Sequence, residues 1–339
     1  MGRRVHVADA TTISLPDEPP LQDLWPQPSA QRAGCGFPII KLLGLLDLAS
    51  GIILHVTMMT LNCHEMSQLA AVHATLSCGD VLLADRGFCS FAHLFLLTKM
   101  SVDAIFRMHQ RQIVDFTPHR PSRKKGKKRY RRNVPSSRFV RRLGHEDQLV
   151  EWIKPTSKPQ WMSQQQHDAL PATLRVRELR YRIIEPGRRT RRVTIATTLL
   201  DPVRYPKQQI AKLYGLRWQI ETNFRHLKQT MKMDQLKCRS ADGVLKELLV
   251  FVLVYNLVRS AMALAAARQG VPISRISFID ALRWLCCCGQ GWQPELIVNP
   301  DRPRRWHPRV KKRRMKAYDL MMRPRDQYRQ PSASEEVGA

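Results

Sequence analysis

The sequence predicts an α/β protein in which a mixed β-sheet is flanked by helices and interrupted by an inserted β-rich module. Three observations support this fold class. Short apolar runs with strand-like alternation come first, stretches with helical spacing come late, and a polar, basic, β-like segment separates them. With 339 residues, 43% of them apolar, the chain is long enough to bury a substantial core.

The first part of the predicted core, residues 1–109, alternates between strand-like and helix-like patterns. Val5 and Val7 alternate in a strand that carries Asp9 near its end. Further along, two apolar runs flank Ala-Ser-Gly, which is the pattern of a β-hairpin. The predicted elements are a strand at 4–13, a Pro-rich loop at 16–38, a hairpin at 39–59, a helix at 64–77, a strand at 80–85, a helix near 90–100 and a strand near 102–108.

The inserted module is predicted at residues 110–204, where the composition becomes polar and basic. Two of its stretches, VRELRYRII and RRVTIATTL, have the alternation of strands. A run rich in Lys and Arg at 123–132 has two interpretations. It is either a charged loop that adds salt-sensitive affinity for nucleic acid or only a solvated loop.

The second part of the predicted core, residues 205–300, is helical, and a basic tail follows at 301–339. Helical spacing covers 207–232 and again 241–269, where Gly270 marks the end. The most apolar stretch within the second helix carries Asn256 and Arg259. These polar side chains favour a buried helix over a membrane span.

The charge of the chain predicts its partner. The 56 Lys and Arg residues against 28 Asp and Glu give a formal net charge of +28, so a polyanion is expected. Nucleic acid is the first candidate and an anionic membrane surface the second. The 8 Cys residues include no C-x2-C pair, which predicts reduced, mostly buried thiols in a cytoplasmic protein and argues against disulfides or zinc.

Chemically active side chains form a stripe in the segment YGLRWQIETNFRHLK. On a helix that turns by about 100° per residue, four of them fall within an arc of about 60°. These four are Tyr214, Arg217, Glu221 and Lys228. The adjacent face carries the apolar side chains that we expect to pack on the sheet, which are Ile220, Phe224 and Leu227.

Asp9 and Asp85 are both predicted at strand ends, where ligands gather in sheets of this kind. If the two strands are neighbours, these carboxylates face one another. With Glu221 they can hold two Mg²⁺ ions, which prefer hard oxygen ligands and support phosphodiester cleavage. Plain structural alternatives stay open: a turn aspartate, a strand-end cap, and a surface glutamate paired with Arg225.

The spacing Y-x2-R-x3-E-x6-K from Tyr214 to Lys228 resembles the signature of a large group of bacterial insertion-sequence transposases, which are DDE transposases. LLADRGF at 82–88 resembles the group's second-Asp motif. VADATTISLPD at 7–17 resembles its first-Asp motif, in which Gly is commoner than Ala10. The basic C-terminal run also resembles the group, so the likeness covers nearly the whole chain.

The resemblance implies a ribonuclease-H-like catalytic domain that cuts DNA at transposon ends and transfers the freed 3′-OH into target DNA. Asp9, Asp85 and Glu221 match its catalytic, metal-binding carboxylates, with two Mg²⁺ ions for which Mn²⁺ can substitute. The residues that match its DNA-phosphate contacts are Tyr214, Arg217 and Lys228. Arg86 is expected to position Asp85 or a phosphate, or to form a surface salt bridge.

The expected partners are DNA, both transposon ends and target, and further copies of the chain in the DNA complex, but no membrane. We expect a cytoplasmic protein at the bacterial nucleoid. Some members flip a base onto an aromatic residue of the module, for which Trp152 and Trp161 are candidates by location alone. Members normally carry an N-terminal region that binds transposon ends. Because the first Asp stands at position 9, we expect that region to be absent. The second hypothesis is therefore a truncated, non-catalytic DNA-binding remnant that interferes with full-length transposase.

Overall fold

The computed structural model describes residues 2–121, 135–183 and 191–287, with positions 323, 324 and 327. Within these residues the strands are β1 (Val5–Ser14), β2 (Ile39–Asp47), β3 (Ile53–Thr60), β4 (Val81–Ala84), β5 (Asp103–Arg107), β6 (Ser137–Gly144), β7 (Asp147–Ile153), β8 (Thr173–Ile183) and β9 (Arg191–Thr197). The α-helices are α1 (Pro19–Leu24), α2 (Glu65–His73), α3 (Phe91–Lys99), α4 (Gln164–Asp168), α5 (Lys207–Gly215), α6 (Gln219–Arg225), α7 (Ala241–Gln269) and α8 (Phe278–Cys287).

The nine described strands form one mixed sheet in the order β3-β2-β1-β4-β5-β9-β8-β7-β6. β1 pairs antiparallel with β2 and parallel with β4, and β4 pairs parallel with β5. The remaining pairings are antiparallel. The predicted mixed sheet flanked by helices is confirmed.

The strands β6–β9 come from the segment predicted as the inserted β-rich module, and they continue the same sheet. β9 pairs with β5, so this segment joins the core through a strand that lies directly beside the parallel strands. The basic run at 123–132 lies outside the described residues, as does nearly all of the tail at 301–339.

Apolar side chains cover both faces of the sheet, because successive residues of a strand point to opposite sides. Val7 and Leu83 belong to the cluster formed with α5–α8, whereas Ala8 and Leu82 belong to the cluster formed with α2 and α3. All four residues of β4 are buried, which is the pattern of a central strand covered on both faces.

The hairpin predicted around Ala-Ser-Gly is confirmed as β2 and β3. The segment 16–38 was predicted as a Pro-rich loop, but it contains the short helix α1. Pro19 and Pro20 begin that helix, at positions where a missing N–H costs nothing. α7 ends as predicted before Gly270, whose φ of 62° is the left-handed conformation that glycine adopts without strain.

The helix α7 is long and apolar enough, by length and composition, to cross a membrane. The prediction of a buried helix holds for one face only, since 33% of its most apolar window is buried. Polar residues of α7 form hydrogen bonds that hold its buried face against the β2–β3 hairpin. Asn256 exchanges two hydrogen bonds with the backbone of Ile53, and Arg259 donates to Ser50. The exposed face carries Leu249, Val250, Leu253, Leu257 and Leu264.

The cysteines among the described residues are free thiols, as predicted. The prediction that most of them are buried was wrong, because none of these seven is fully buried and Cys78, Cys286 and Cys287 are exposed.

Buried histidines make the stability of the fold sensitive to acid. Burial, with a smaller contribution from the neighbouring His73, lowers the pKa of His93 from 6.5 to about 3. Burial alone lowers the pKa of His73 to about 4. Below pH 6.5 these two histidines therefore bind protons in the unfolded chain but remain neutral in the folded chain until a much lower pH. We expect the free energy of unfolding, measured by urea titration, to fall as the pH is lowered from about 6.5 towards 4.

The variant His93→Phe tests this expectation, because Phe preserves the ring that stacks on Trp161 at a centroid distance of 4.7 Å. It loses the hydrogen bond of His93 with Met66 O at every pH, but the pH slope should become shallower by up to about 1.4 kcal/mol per pH unit. The control His145→Asn removes an exposed histidine and should leave the slope unchanged. An unaltered slope in His93→Phe would contradict the assignment of this acid sensitivity to His93.

Candidate active site

Asp9 and Asp85 lie side by side at the end of the parallel strand pair. The register pairs Ala8 of β1 with Ala84 of β4, and the next residues along the two strands are Asp9 and Asp85. The condition that these strands are neighbours is met. Asp9 does not end its strand as predicted, however, because β1 continues to Ser14 while paired with β2. Asp9 instead follows the last residue of β1 that pairs in parallel with β4, and the end of this parallel pairing places it beside Asp85.

A glycine lets the helix α6 approach Asp9 closely. Gly44 of β2 lies directly opposite Asp9 in the antiparallel pair. A Cβ at Gly44 would lie 3.2 Å from Cζ of Phe224, which is buried on α6. Ile220 and Leu227 are buried beside it, so the face predicted to pack on the sheet is confirmed.

The segment that carries the stripe is not the uniform α-helix from which the stripe was predicted. α5 is followed by a 3₁₀ turn at Leu216–Trp218, by α6, and by a π-helical turn at His226–Thr230. A 3₁₀ helix turns further per residue than an α-helix and a π-helix turns less, so the two deviations offset each other. The side chains of Tyr214, Arg217 and Lys228 accordingly all reach residues at the β1–β4 edge.

One cation and one phenol link the three predicted carboxylates. Arg217 Nη1 donates to Asp9 Oδ2 at 2.7 Å, and Nη2 lies 3.7 Å from Glu221 Oε1. The Tyr214 hydroxyl lies 3.5 Å from Asp85 Oδ1. Arg217 is 5% exposed, whereas 47% of the Glu221 side chain is exposed, so the group opens to solvent at Glu221.

The remaining predicted phosphate contacts lie at the margin of this group. Lys228 Nζ donates to Thr12 O at 2.7 Å and lies 3.4 Å from Thr11 Oγ1, so it flanks Asp9 along β1. Arg86 donates from Nη1 to Gln110 Oε1 at 3.1 Å, on the exposed surface beyond Asp85.

Arg107 is a site residue that the sequence analysis missed. It ends β5, and its Nη1 lies 3.8 Å from Asp85 Oδ1. The signal was present, because Arg107 is a cation at the carboxyl end of the next parallel strand. Tyr181 of β8 was also missed. Burial, partly offset by Arg107 and Arg217, raises its pKa to about 12, so this phenol lies within electrostatic reach of both cations.

The carboxylates repel one another. Burial raises the pKa of Asp9 and Asp85 raises it further, while Arg217 and the backbone N–H of Ala10 lower it. Partial burial raises the pKa of Glu221, and both aspartates add to that effect against Arg217. Negative charge is therefore concentrated at one edge of the sheet in a chain whose formal net charge is +28.

The family model described as the transposase DDE domain matches residues 1–257. The chain belongs to this family. This DDE domain is also 29% identical over 196 residues to the transposase InsG of insertion sequence element IS4 from Escherichia coli strain K12. The alignment covers 52% of this chain and 42% of the relative, so the chain spans less than half the length of that curated protein.

A solved structure with some likeness to this DDE domain is the cryo-EM structure of the piggyBac transposase synaptic complex with hairpin DNA. The two are 11% identical, with a TM-score of 0.45, over 83% of this chain and 51% of that chain. This likeness is too distant to bear on the site.

The donor set of this DDE domain suits hard divalent cations. Carboxylate oxygens from β1, the end of β4 and α6 are the ligands that Mg²⁺ prefers, and a cation would relieve their mutual repulsion. Among the described residues, no three His, Cys, Asp or Glu side chains already converge as a ready metal site. The guanidinium of Arg217 lies on Asp9 and Glu221 instead.

The two tryptophans suggested as base acceptors are engaged in packing. Trp152 is 5% exposed, and its Nε1 donates to Glu178 Oε1 at 2.9 Å. Trp161 stacks on His93. The structure gives no support for the hypothesis that either holds a flipped base.

Proposed function

We propose that this chain is the catalytic part of a DNA transposase that cuts transposon ends and joins them to target DNA with divalent metal ions. The observation that carries the proposal is the gathering of Asp9, Asp85 and Glu221 around Arg217 and Tyr214 at one edge of the sheet. Membership of the DDE family supports the transposase role.

The three carboxylates would hold two Mg²⁺ ions, or Mn²⁺ in their place. When bound, such ions activate water, neutralise phosphate charge and stabilise the leaving oxygen. In the first step water attacks a phosphodiester, the P–O3′ bond breaks, and a 3′-OH and a 5′-phosphate result. In the second step that 3′-OH attacks a target phosphodiester and displaces another 3′ oxygen.

The cations around the carboxylates would attract and hold the DNA phosphates in this chemistry. DNA phosphates would be repelled by three acidic side chains, so positive groups must flank them. Arg107 stands on the Asp85 side with 28% of its side chain exposed, and Lys228 stands beside β1. A guanidinium can hold a phosphate through two hydrogen bonds, while Lys228 acts as a point charge. The Tyr214 hydroxyl can donate to a phosphate oxygen.

We propose that the protein acts at the bacterial nucleoid. Its partners there are transposon ends, target DNA and further copies of the chain in the DNA complex. The proposed division keeps residues 1–109 and 205–300 as the catalytic core, 110–204 as the inserted segment and 301–339 as a basic tail. A non-catalytic DNA-binding remnant is less well supported, because such a protein needs no gathered carboxylates.

A strand-transfer assay separates these two functions. Labelled pre-cut transposon ends, taken from the DNA that flanks the gene, are incubated with the protein and a plasmid in Mg²⁺ or Mn²⁺. Joined products that disappear when the metal is chelated are the expected result. Tight binding of the ends in a mobility-shift assay, without cutting or joining in either metal, would favour the remnant.

A further inference from the structure

The guanidinium of Arg217 lies between two of the proposed metal-binding carboxylates, Asp9 and Glu221. Its guanidinium spans Asp9 at 2.7 Å and Glu221 at 3.7 Å, while the residue is 5% exposed. Its Nε is buried and has no hydrogen-bond partner within the described part of the chain. A buried donor left without a partner is costly, so this position does not satisfy the whole guanidinium.

The surroundings nevertheless keep Arg217 charged. An arginine guanidinium stays protonated in proteins, and this one faces the carboxylates of Asp9 and Glu221 directly. A charged guanidinium against Asp9 and Glu221 supplies the neutralisation that a bound divalent ion would also supply. The two cations therefore compete for the same carboxylate oxygens.

We propose that Arg217 is a resident counter-cation that occupies Asp9 and Glu221 in the DNA-free protein and transfers to a DNA phosphate as metal binds. This inference rests on the function proposed above. A metal ion entering without DNA must displace the guanidinium from Asp9. A DNA phosphate offers that guanidinium two well-aligned acceptors, which frees the carboxylates. Metal and DNA should therefore each raise the affinity for the other, because such coupling is reciprocal.

The inference is tested on the DNA-free protein by measuring Mn²⁺ binding, either by calorimetry or from the electron paramagnetic resonance signal of free Mn²⁺. Arg217→Gln removes the competing cation and should bind Mn²⁺ about tenfold more tightly than the wild type. Lys228→Gln is the matched control, because it removes an equal charge from the same stripe, while within the described ranges Lys228 donates only to Thr11 and Thr12. It should change the affinity by less than about twofold.

Circular dichroism shows whether Arg217→Gln folds. If it does not fold, Arg217→Lys provides a second test. It preserves the charge but loses the fork that spans the two carboxylates, so it should also bind Mn²⁺ more tightly than the wild type. Equal affinities for the wild type and the folded Arg217 variants would overturn the counter-cation role. An equal gain in Lys228→Gln would overturn it too, by reducing the effect to general electrostatics. Folded proteins that all fail to bind Mn²⁺ would instead refute the metal site of the proposed function.

Discussion

Replacing Glu221 by Gln is expected to reduce DNA cleavage and strand transfer by roughly a thousand-fold, while DNA affinity changes by less than about threefold. Gln preserves the shape of the side chain but removes the negative charge that a divalent ion needs. Metal-assisted catalysis lowers the barrier by several kcal/mol, and losing it gives a factor on the order of 10³. DNA affinity should persist because it depends on the many basic residues of a chain with net charge +28.

The control for this experiment is Asp242→Asn in the first turn of α7. Asp242 pairs with Lys246 at 2.6 Å, and 77% of its side chain is exposed. It loses the same charge as Glu221→Gln but lies outside the candidate site, so cleavage should remain near the wild-type rate. A Glu221→Gln protein that cuts DNA at the wild-type rate would remove the central support for the proposed enzyme.

Replacing Arg177 by Ala is expected to lower the free energy of unfolding by about 3–5 kcal/mol. Arg177 of β8 is 0% exposed and forms a bidentate pair with Asp147 of β7, through contacts of 2.8 and 2.5 Å. Its Nη1 also donates to Tyr205 O at 2.7 Å, just before α5. Removing the guanidinium leaves a buried carboxylate without its partner and releases the segment that leads into the helices of the site.

A more exposed ion pair that also involves β7 provides the comparison. Arg138 of β6 pairs with Glu151 of β7, and 63% of the Arg138 side chain is exposed. Arg138→Ala should cost less than about 1 kcal/mol, because solvent screens the pair. Replacing both partners of the buried pair, as Arg177→Met with Asp147→Leu, should recover much of the loss. Urea titration measures all three, and equal costs for Arg177→Ala and Arg138→Ala would contradict this account.

Local patterns were sufficient for most elements of the predicted core and for most of the candidate site. The alternation in β1, the run of four apolar residues in β4 and the helical spacing of α7 each depend on neighbouring residues, so they can be recognised without knowing the fold. The spacing from Tyr214 to Lys228 likewise predicted one stripe, although the segment changes helix type twice. Long-range contacts decide such changes of pitch, and they leave no mark in the spacing.

The sequence by itself determined most strands and helices of the predicted core, the positive charge and the residue types that suit a metal-dependent reaction on DNA. Only the tertiary structure decided that β1 lies beside β4, which sets Asp9 level with Asp85. It also decided that Arg107, at the end of β5, lies near Asp85, and that the Arg217 guanidinium forms an ion pair with Asp9. The physical reason is that strand pairing joins residues far apart in the chain, so its register depends on packing across the whole sheet and not on any local pattern.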